Sequence, residues 1–384
     1  MNSLKSLFGI LYRFCASWVG TIIIVLLLIF FIAQAFVIPS RSMVGTLYEG
    51  DFLFVKKFSY GVPIPRIPWL EVPVMPDLKG NGHIIDGEGP KRGDIVVFIP
   101  PHIPKQYFVK RTFAKGGDEV IFTKKGLYLH PSEGNEYVNE HYQDYEKIIM
   151  QGKLFVFEPY SKEHLGINYD EGSSSFLTMS DIYLGSRLAG TSPYEYSTKG
   201  GGISMRPEFE NGAISFFYKK IEEGEYFMVG DNRNNSEDSR FWGSVPYKNI
   251  IGQPWFIYFS MNLEGSLEAD ARNNPKERYN IRWERMFKGI DGLEKMLKER
   301  QKDASQKDIL LDKAKSYEAT DTAQQNQTRA QVDSGLDFAK SAESAKSTKT
   351  APESAQIAKS AQVTKATRES SQVVQESAQI TKGA

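Results

Sequence analysis

The longest hydrophobic run lies near the N-terminus. Ala16 to Val37 carries no charged side chain, and Ile22 to Ile32 is apolar without a break. Such a stretch is long enough to cross about 30 Å of hydrocarbon as a helix whose backbone groups satisfy one another. It predicts a transmembrane helix over residues 16–37. A buried helix or a cleaved signal peptide competes with that reading, but the apolar core of a signal peptide is usually only about 7–15 residues long. Lys5 and Arg13 precede the run and no acidic residue does, so residues 1–15 are expected in the cytoplasm and everything after Ser40 outside.

Downstream the pattern changes to short segments rich in β-branched and aromatic residues: Asp51–Lys57, Asp94–Ile99, Tyr107–Phe113, Glu119–Phe122, Tyr226–Val229 and Pro254–Phe259. Gly- and Pro-rich stretches such as Gly61–Pro68 and Gly80–Gly93 separate them, as turns separate strands. Helices do not alternate with these strands, so a mainly β domain of barrel or sandwich type is expected over residues 38–300. Between 122 and 222 the pattern is irregular and rich in Gly, Ser, Tyr and acidic residues, which suggests an inserted subdomain. Ile281, Met286, Phe287, Ile290, Leu293, Met296 and Leu297 give a helical spacing near 281–300, interrupted by Gly289 and Gly292. Residues 301–384 lose nearly all aromatics and repeat one unit at Ser354–Lys359, Ser360–Lys365 and Ser377–Lys382. So little apolar surface does not offset the entropy of ordering, and a disordered tail is expected ahead of a weak exposed helix.

Composition narrows the function. Across 384 residues, 47 Lys and Arg balance 47 Asp and Glu, so no global field favours nucleic acid, and no nucleic-acid motif is present. The single cysteine, Cys15, permits neither an internal disulfide nor a thiolate metal site.

Three segments carry candidate chemistry. Ser40 and Ser42 flank Arg41 just after the apolar run. A hydroxyl nucleophile needs a base and oxyanion donors, although such serines are also ordinary turn residues. In Tyr107-Phe-Val-Lys110-Arg111, strand alternation puts Phe108 and Lys110 on one face. Burial there lowers a lysine pKa toward that of a general base, whereas a lysine reaching out to solvent is the plainer alternative. Arg111, on the opposite face, suits an ion pair. The third segment, Gly230-Asp-Asn-Arg-Asn-Asn-Ser236-Glu-Asp238-Ser-Arg240, is a dense polar loop without the ligand order of a calcium loop. Asp238 and Arg240 suit a pair that fixes its backbone, with Ser236 free to bond a catalytic group.

Taken in order, Pro39-Ser-Arg-Ser-Met43, Gly50-Asp51, Arg92-Gly-Asp94, Lys110-Arg111 with Gly117-Asp118, and Gly230 to Gly243 resemble the type I signal peptidases, membrane-bound Ser/Lys proteases. The resemblance covers roughly 31–287, and Ile281-Arg-Trp-Glu-Arg285 looks like the family's closing strand. It implies Ser42 as nucleophile, Lys110 as general base, and the Ser40 hydroxyl with the Ser42 N–H as oxyanion donors. Ser236 would orient the lysine, and Asp238 and Arg240 would form a structural ion pair. Phe36, Ile38, Met43, Leu47, Val97, Phe108 and Val109 would form shallow apolar subsites for small substrate residues. The implied fold is a β-rich catalytic core with an inserted β subdomain, with no metal or organic cofactor. The implied partners are exported preproteins carrying signal peptides, together with membrane lipid. The implied location is the cytoplasmic (inner) membrane, single-pass, with the catalytic domain on the extracytoplasmic side.

Two positions depart from the family pattern. Gly45 stands where proline is usual, which is expected to leave the turn less rigid, and Asn234 stands where aspartate is common. A repressor-type self-cleaving Ser/Lys protein lacks a membrane span, and a non-catalytic tethered β scaffold would show no activity. His83, His102, His130, His141 and His164 offer a conventional Ser/His triad, but none lies in a recognisable catalytic context.

Overall fold

The structure, a computed structural model, describes residues 9, 12–67, 70–169, 174–195, 201–263 and 279–303. Residues 304–384, with all three repeat units, lie outside the described residues.

Near the N-terminus the Ser17 hydroxyl caps helix α1 (Trp18–Leu27), accepting the Gly20 N–H at 3.0 Å. A Cβ at Gly20 would sit 1.8 Å from the Phe14 carbonyl oxygen, so the bend before α1 requires glycine. A π-helical turn follows at Leu28–Ile32, and Ala33–Val37 is strand β1. The expected helix over 16–37 is therefore corrected. α1 has 10 residues, a rise of about 15 Å, and among the described residues no helix is long and apolar enough to cross a membrane. The physical reason is tertiary pairing: β1 runs antiparallel to β2 (Asp51–Lys56), with Ala33 opposite Lys56 and Val37 opposite Phe52. An apolar run satisfies a buried strand as readily as a helix.

Among the described residues fifteen strands form three sheets, and every pairing between these strands is antiparallel. A two-stranded ribbon joins β3 (Gly61–Pro63) to β4 (His83–Asp86). The main sheet has the order β1, β2, β15 (Ile250–Ser260), β5 (Ile95–Phe98), β6 (Phe108–Lys115), β13 (Glu225–Val229) and β14 (Val245–Pro246). The second sheet has the order β11 (Arg206–Glu210), β12 (Ala213–Lys220), β7 (Glu119–Thr123), β8 (Leu127–His130), β10 (Lys153–Phe157) and β9 (Lys147–Met150). The irregular segment at 122–222 thus supplies most of this sheet and two helices not foreseen from the pattern, α2 (Gly134–His141) and α3 (Ser175–Leu188). α3 buries Phe176, Met179 and Tyr183 along one side.

β5 explains how the main sheet is held. All four of its residues are buried: Val96 and Phe98 join a large cluster with Phe113, Phe122, Phe217, Phe227 and Trp242, while Ile95 and Val97 join a second with Ile38, Met43, Leu47 and Leu53. A strand covered on both faces reads as an unbroken apolar run. The C-terminal part also differs from expectation. Ile281 bridges Met261, Trp283–Arg285 is a 3-10 turn, and only residues 290–303 are helical. The Asp51 carboxylate draws in this segment, accepting from Arg285 at 2.6 and 3.1 Å and from Ser260 at 2.7 Å, and Arg282 donates to Ser260 at 2.8 Å. Satisfying a buried carboxylate outweighs local helical spacing.

Candidate active site

The chain leaves β1 through Ile38 and Pro39 and enters a 3-10 turn at Arg41–Met43. Val44 N–H closes this turn on the Arg41 carbonyl at 3.0 Å, and Thr46 and Leu47 N–H both return to the Met43 carbonyl. Arg41 pairs with Glu49 at 3.0 Å. Gly45 has φ +106, a value closed to proline, and a Cβ there would lie 2.0 Å from the Gly166 carbonyl oxygen. Asn168 Nδ2 donates to both the Val44 and Gly166 carbonyls at 2.8 Å. Gly45 accordingly marks a tightly packed turn rather than a loosened one.

β6 delivers the lysine. Lys110 stands opposite Val96 and Phe108 opposite Phe98, so both lie on the same face of the sheet. Lys110 is buried at 4 % exposure and Ser42 at 8 %, and Lys110 Nζ donates to Ser42 Oγ. Burial pushes the ammonium pKa down to about 8, with Arg240 adding to the shift and Asp238, Glu237 and Asp231 opposing it. At pH 7 about one lysine in ten is then neutral, against about one in three thousand at the ordinary value. A neutral amine on a hydroxyl is what proton abstraction from serine needs. Ser40 Oγ lies 3.4 Å from Ser42 Oγ.

The polar loop after β13 braces this pair from below. Asn232 N–H donates to the Ser42 carbonyl at 3.1 Å. Gly230 allows the close approach: a Cβ there would lie 2.3 Å from the Ser42 carbonyl oxygen and 2.3 Å from Ser236 Oγ. Ser236 Oγ is buried and makes no hydrogen bond of normal geometry among the described residues, although it lies near enough to Asp238 to help keep that carboxylate ionised. Asp238 pairs with Arg240 through two contacts of 2.8 Å. Burial alone would raise the Asp238 pKa, but Arg240 outweighs it and holds the carboxyl below its usual range. Asp231, which the motif reading left unassigned, takes the Arg111 guanidinium at 2.8 and 2.7 Å and the Thr46 hydroxyl at 2.6 Å. This ties β6, the loop and the Ser42 turn together.

A groove of about 430 Å³ opens on Ser42 and Lys110, lined by Phe36, Ile38, Met43, Phe108 and Val109. Leu47 and Val97, expected among the subsite residues, do not line it: both are fully buried in the cluster that contains Ile38 and Met43. The groove also takes in Gln106, Tyr107, Asn235 and Glu237, which the motif reading passed over although each adjoins a motif residue in sequence. The Phe36 and Tyr107 rings meet edge to face at 4.9 Å, and Tyr107 donates to Glu71. None of the five histidines lines the groove. A larger polar cleft of about 800 Å³, around Arg92, Tyr142 and Glu223, does not include Ser42 or Lys110.

Comparison with known proteins shows the family. A family model described as "Signal peptidase, peptidase S26" matches residues 11–259. Signal peptidase I of Helicobacter pylori strain J99 is 60% identical over 292 residues, covering 75% of this chain and 96% of the relative. The signal peptidase I of H. pylori strain 26695 is 59% identical over the same length and shares. A solved signal peptidase I from Enterococcus faecalis V583 aligns with 20% identity over 43% of this chain and 97% of that one, at a TM-score of 0.20, too low to bear on the fold. The protein is a serine peptidase. More particularly, the chain belongs to the signal peptidase family, peptidase S26, whose members cleave signal peptides.

Proposed function

We propose that this protein is a membrane-bound endopeptidase that removes signal peptides from exported preproteins with a Ser42/Lys110 dyad. The observation that carries the reading is the buried Lys110 amine on the Ser42 hydroxyl, with the lysine pKa lowered to about 8. Lys110 takes the Ser42 proton as Oγ attacks the scissile carbonyl, then returns it to the leaving amine. The Ser42 N–H and Ser40 hydroxyl receive the developing oxyanion, where one donor is worth about 10²–10³ in kcat. The Asp238–Arg240 pair fixes the loop that carries Ser236, whose buried hydroxyl makes no hydrogen bond of normal geometry among the described residues and so is free to accept one from the lysine during the reaction. Phe36, Ile38, Met43, Phe108 and Val109 admit small residues at −1 and −3, with Leu47 and Val97 shaping the groove from behind.

The catalytic unit, residues 38–300 with the insertion near 122–222, is assigned to the outer face of the cytoplasmic membrane. Support comes from the exposed apolar side chains Trp18, Val19, Ile22, Ile23, Val25, Leu26, Leu27 and Leu28, gathered in one segment as at membrane or partner contacts. Trp255 and Trp283 are also exposed, and tryptophan favours the membrane interface. Nine residues separate the end of the apolar run at Ile32 from Ser42, which keeps the nucleophile near the surface where a signal peptide emerges.

Incubating the full chain with a preprotein tests the reading. Cleavage after a small residue is expected, falling at least about 10³-fold in Ser42→Ala and Lys110→Ala variants that melt like the parent. Undiminished cleavage by either variant would rule the dyad out.

A further inference from the structure

The helical stretch at 290–303 lies beyond residues 11–259, where the family match ends, yet it is built into the catalytic core. Leu293 and Met296 are buried in the cluster that contains Ile38, Met43 and Leu47, with Ile290 packed against it. This spacing turns one side of the helix toward the base of the Ser42 turn. Beside Leu293, the Glu294 side chain is only 13 % exposed. It accepts from Arg111 Nη2 at 3.3 Å and lies 2.7 Å from His164 Nδ1. Burial acts to raise its pKa, but His164 and Arg111 outweigh that and hold it below the usual carboxylate range.

Arg111 is the chain neighbour of Lys110 and points the opposite way. Its other donors go to the two Asp231 oxygens and to the Gly93 carbonyl at 2.7 Å. Asp231 in turn holds the Thr46 hydroxyl, and the next residue's N–H holds the Ser42 carbonyl. One connected path therefore runs from Glu294 through Arg111 and Asp231 to the backbone of Ser42. Without Glu294, a buried guanidinium loses one acceptor and one counter-charge, and is left with Asp231 and Gly93 to orient it.

We propose that Glu294 is a positioning residue for the reaction, holding Arg111 square on Asp231 so that Lys110 and Ser42 keep their register. The helix at 290–303 is then part of the catalytic unit and not an appendage. The inference rests on the Ser42/Lys110 reading, so Ser42→Ala is measured alongside: residual activity there fails that reading, whereas the Glu294 variants fail or support this one.

The test uses the full chain and a preprotein substrate. Glu294→Gln is nearly isosteric and should melt like the parent, yet lose several-fold in kcat with KM unchanged, because the groove is untouched. Glu294→Ala should lose about tenfold or more. Glu299→Ala, an exposed acid on the same helix, should match the parent. Adding Glu294→Ala to Arg111→Lys should cost little beyond Arg111→Lys alone, as expected for residues acting along one path. A Glu294→Gln variant with parental kcat, or a loss confined to KM, would overturn the proposal even if the other variants fail to fold.

Discussion

Gly230 offers a severe test of the way the loop supports the dyad. Adding one methyl group by Gly230→Ala would place a Cβ 2.3 Å from both the Ser42 carbonyl oxygen and Ser236 Oγ, whereas ordinary contact begins at 3.4 Å. The loop and the Ser42 turn must then separate by about 1 Å. Overpacking of this kind costs about 1–3 kcal/mol of stability, while restriction of the unfolded chain returns only about 0.4–1 kcal/mol. The larger effect falls on the chemistry, since a shift of about 1 Å in a catalytic group lowers rate by about 10²-fold. Initial rates of preprotein cleavage, with melting curves on the same samples, should show kcat down by about two orders of magnitude in a protein that still folds. Gly185→Ala serves as the control, because its Cβ would meet nothing within 4 Å. A Gly230→Ala enzyme within threefold of the parent, with an unchanged melting point, would refute the claim that this contact sets the dyad's geometry.

Three further outcomes are expected. Since burial lowers the Lys110 pKa to about 8, kcat/KM should rise as pH increases through that value and the amine loses its proton; a profile flat from acidic to alkaline pH would contradict this. Asp238→Asn leaves the buried Arg240 without its carboxylate and should cost about 3–5 kcal/mol in a denaturant titration, with a change under about 1 kcal/mol counting against a structural role for the pair. Val109→Trp, which fills the groove from β6, should raise KM for preprotein at least tenfold without moving the pH at which activity appears, and an unchanged KM would remove the groove from the substrate's path.

Much of the main sheet was legible because its signals are local. Alternation along Asp51–Lys56 and the doubly covered run at Ile95–Phe98 both read as strand, and the same alternation placed Lys110 beside Phe108. What escaped was decided by distant partners. Ala33–Val37 continues the apolar run seamlessly, and only its pairing with β2 makes it a strand. Likewise Trp283–Arg285 is shaped by Asp51, more than two hundred residues away in the chain. Gly45 looked like a lost proline, yet its positive φ and its contact with Gly166 show a position that proline cannot fill. Asp231 and Glu294 carry no sequence signal of their roles, because each acts through Arg111 across the fold.

The most direct test of the central claim is to trap the acyl-enzyme. The full-length protein, mixed with a preprotein, quenched in acid within the first turnover and digested, should yield a Ser42 peptide heavier by the signal-peptide fragment ending in the small −1 residue. The Ser42→Ala variant should yield none. An adduct on any other residue, or continued cleavage by the Ser42→Ala variant, would contradict Ser42 as the nucleophile.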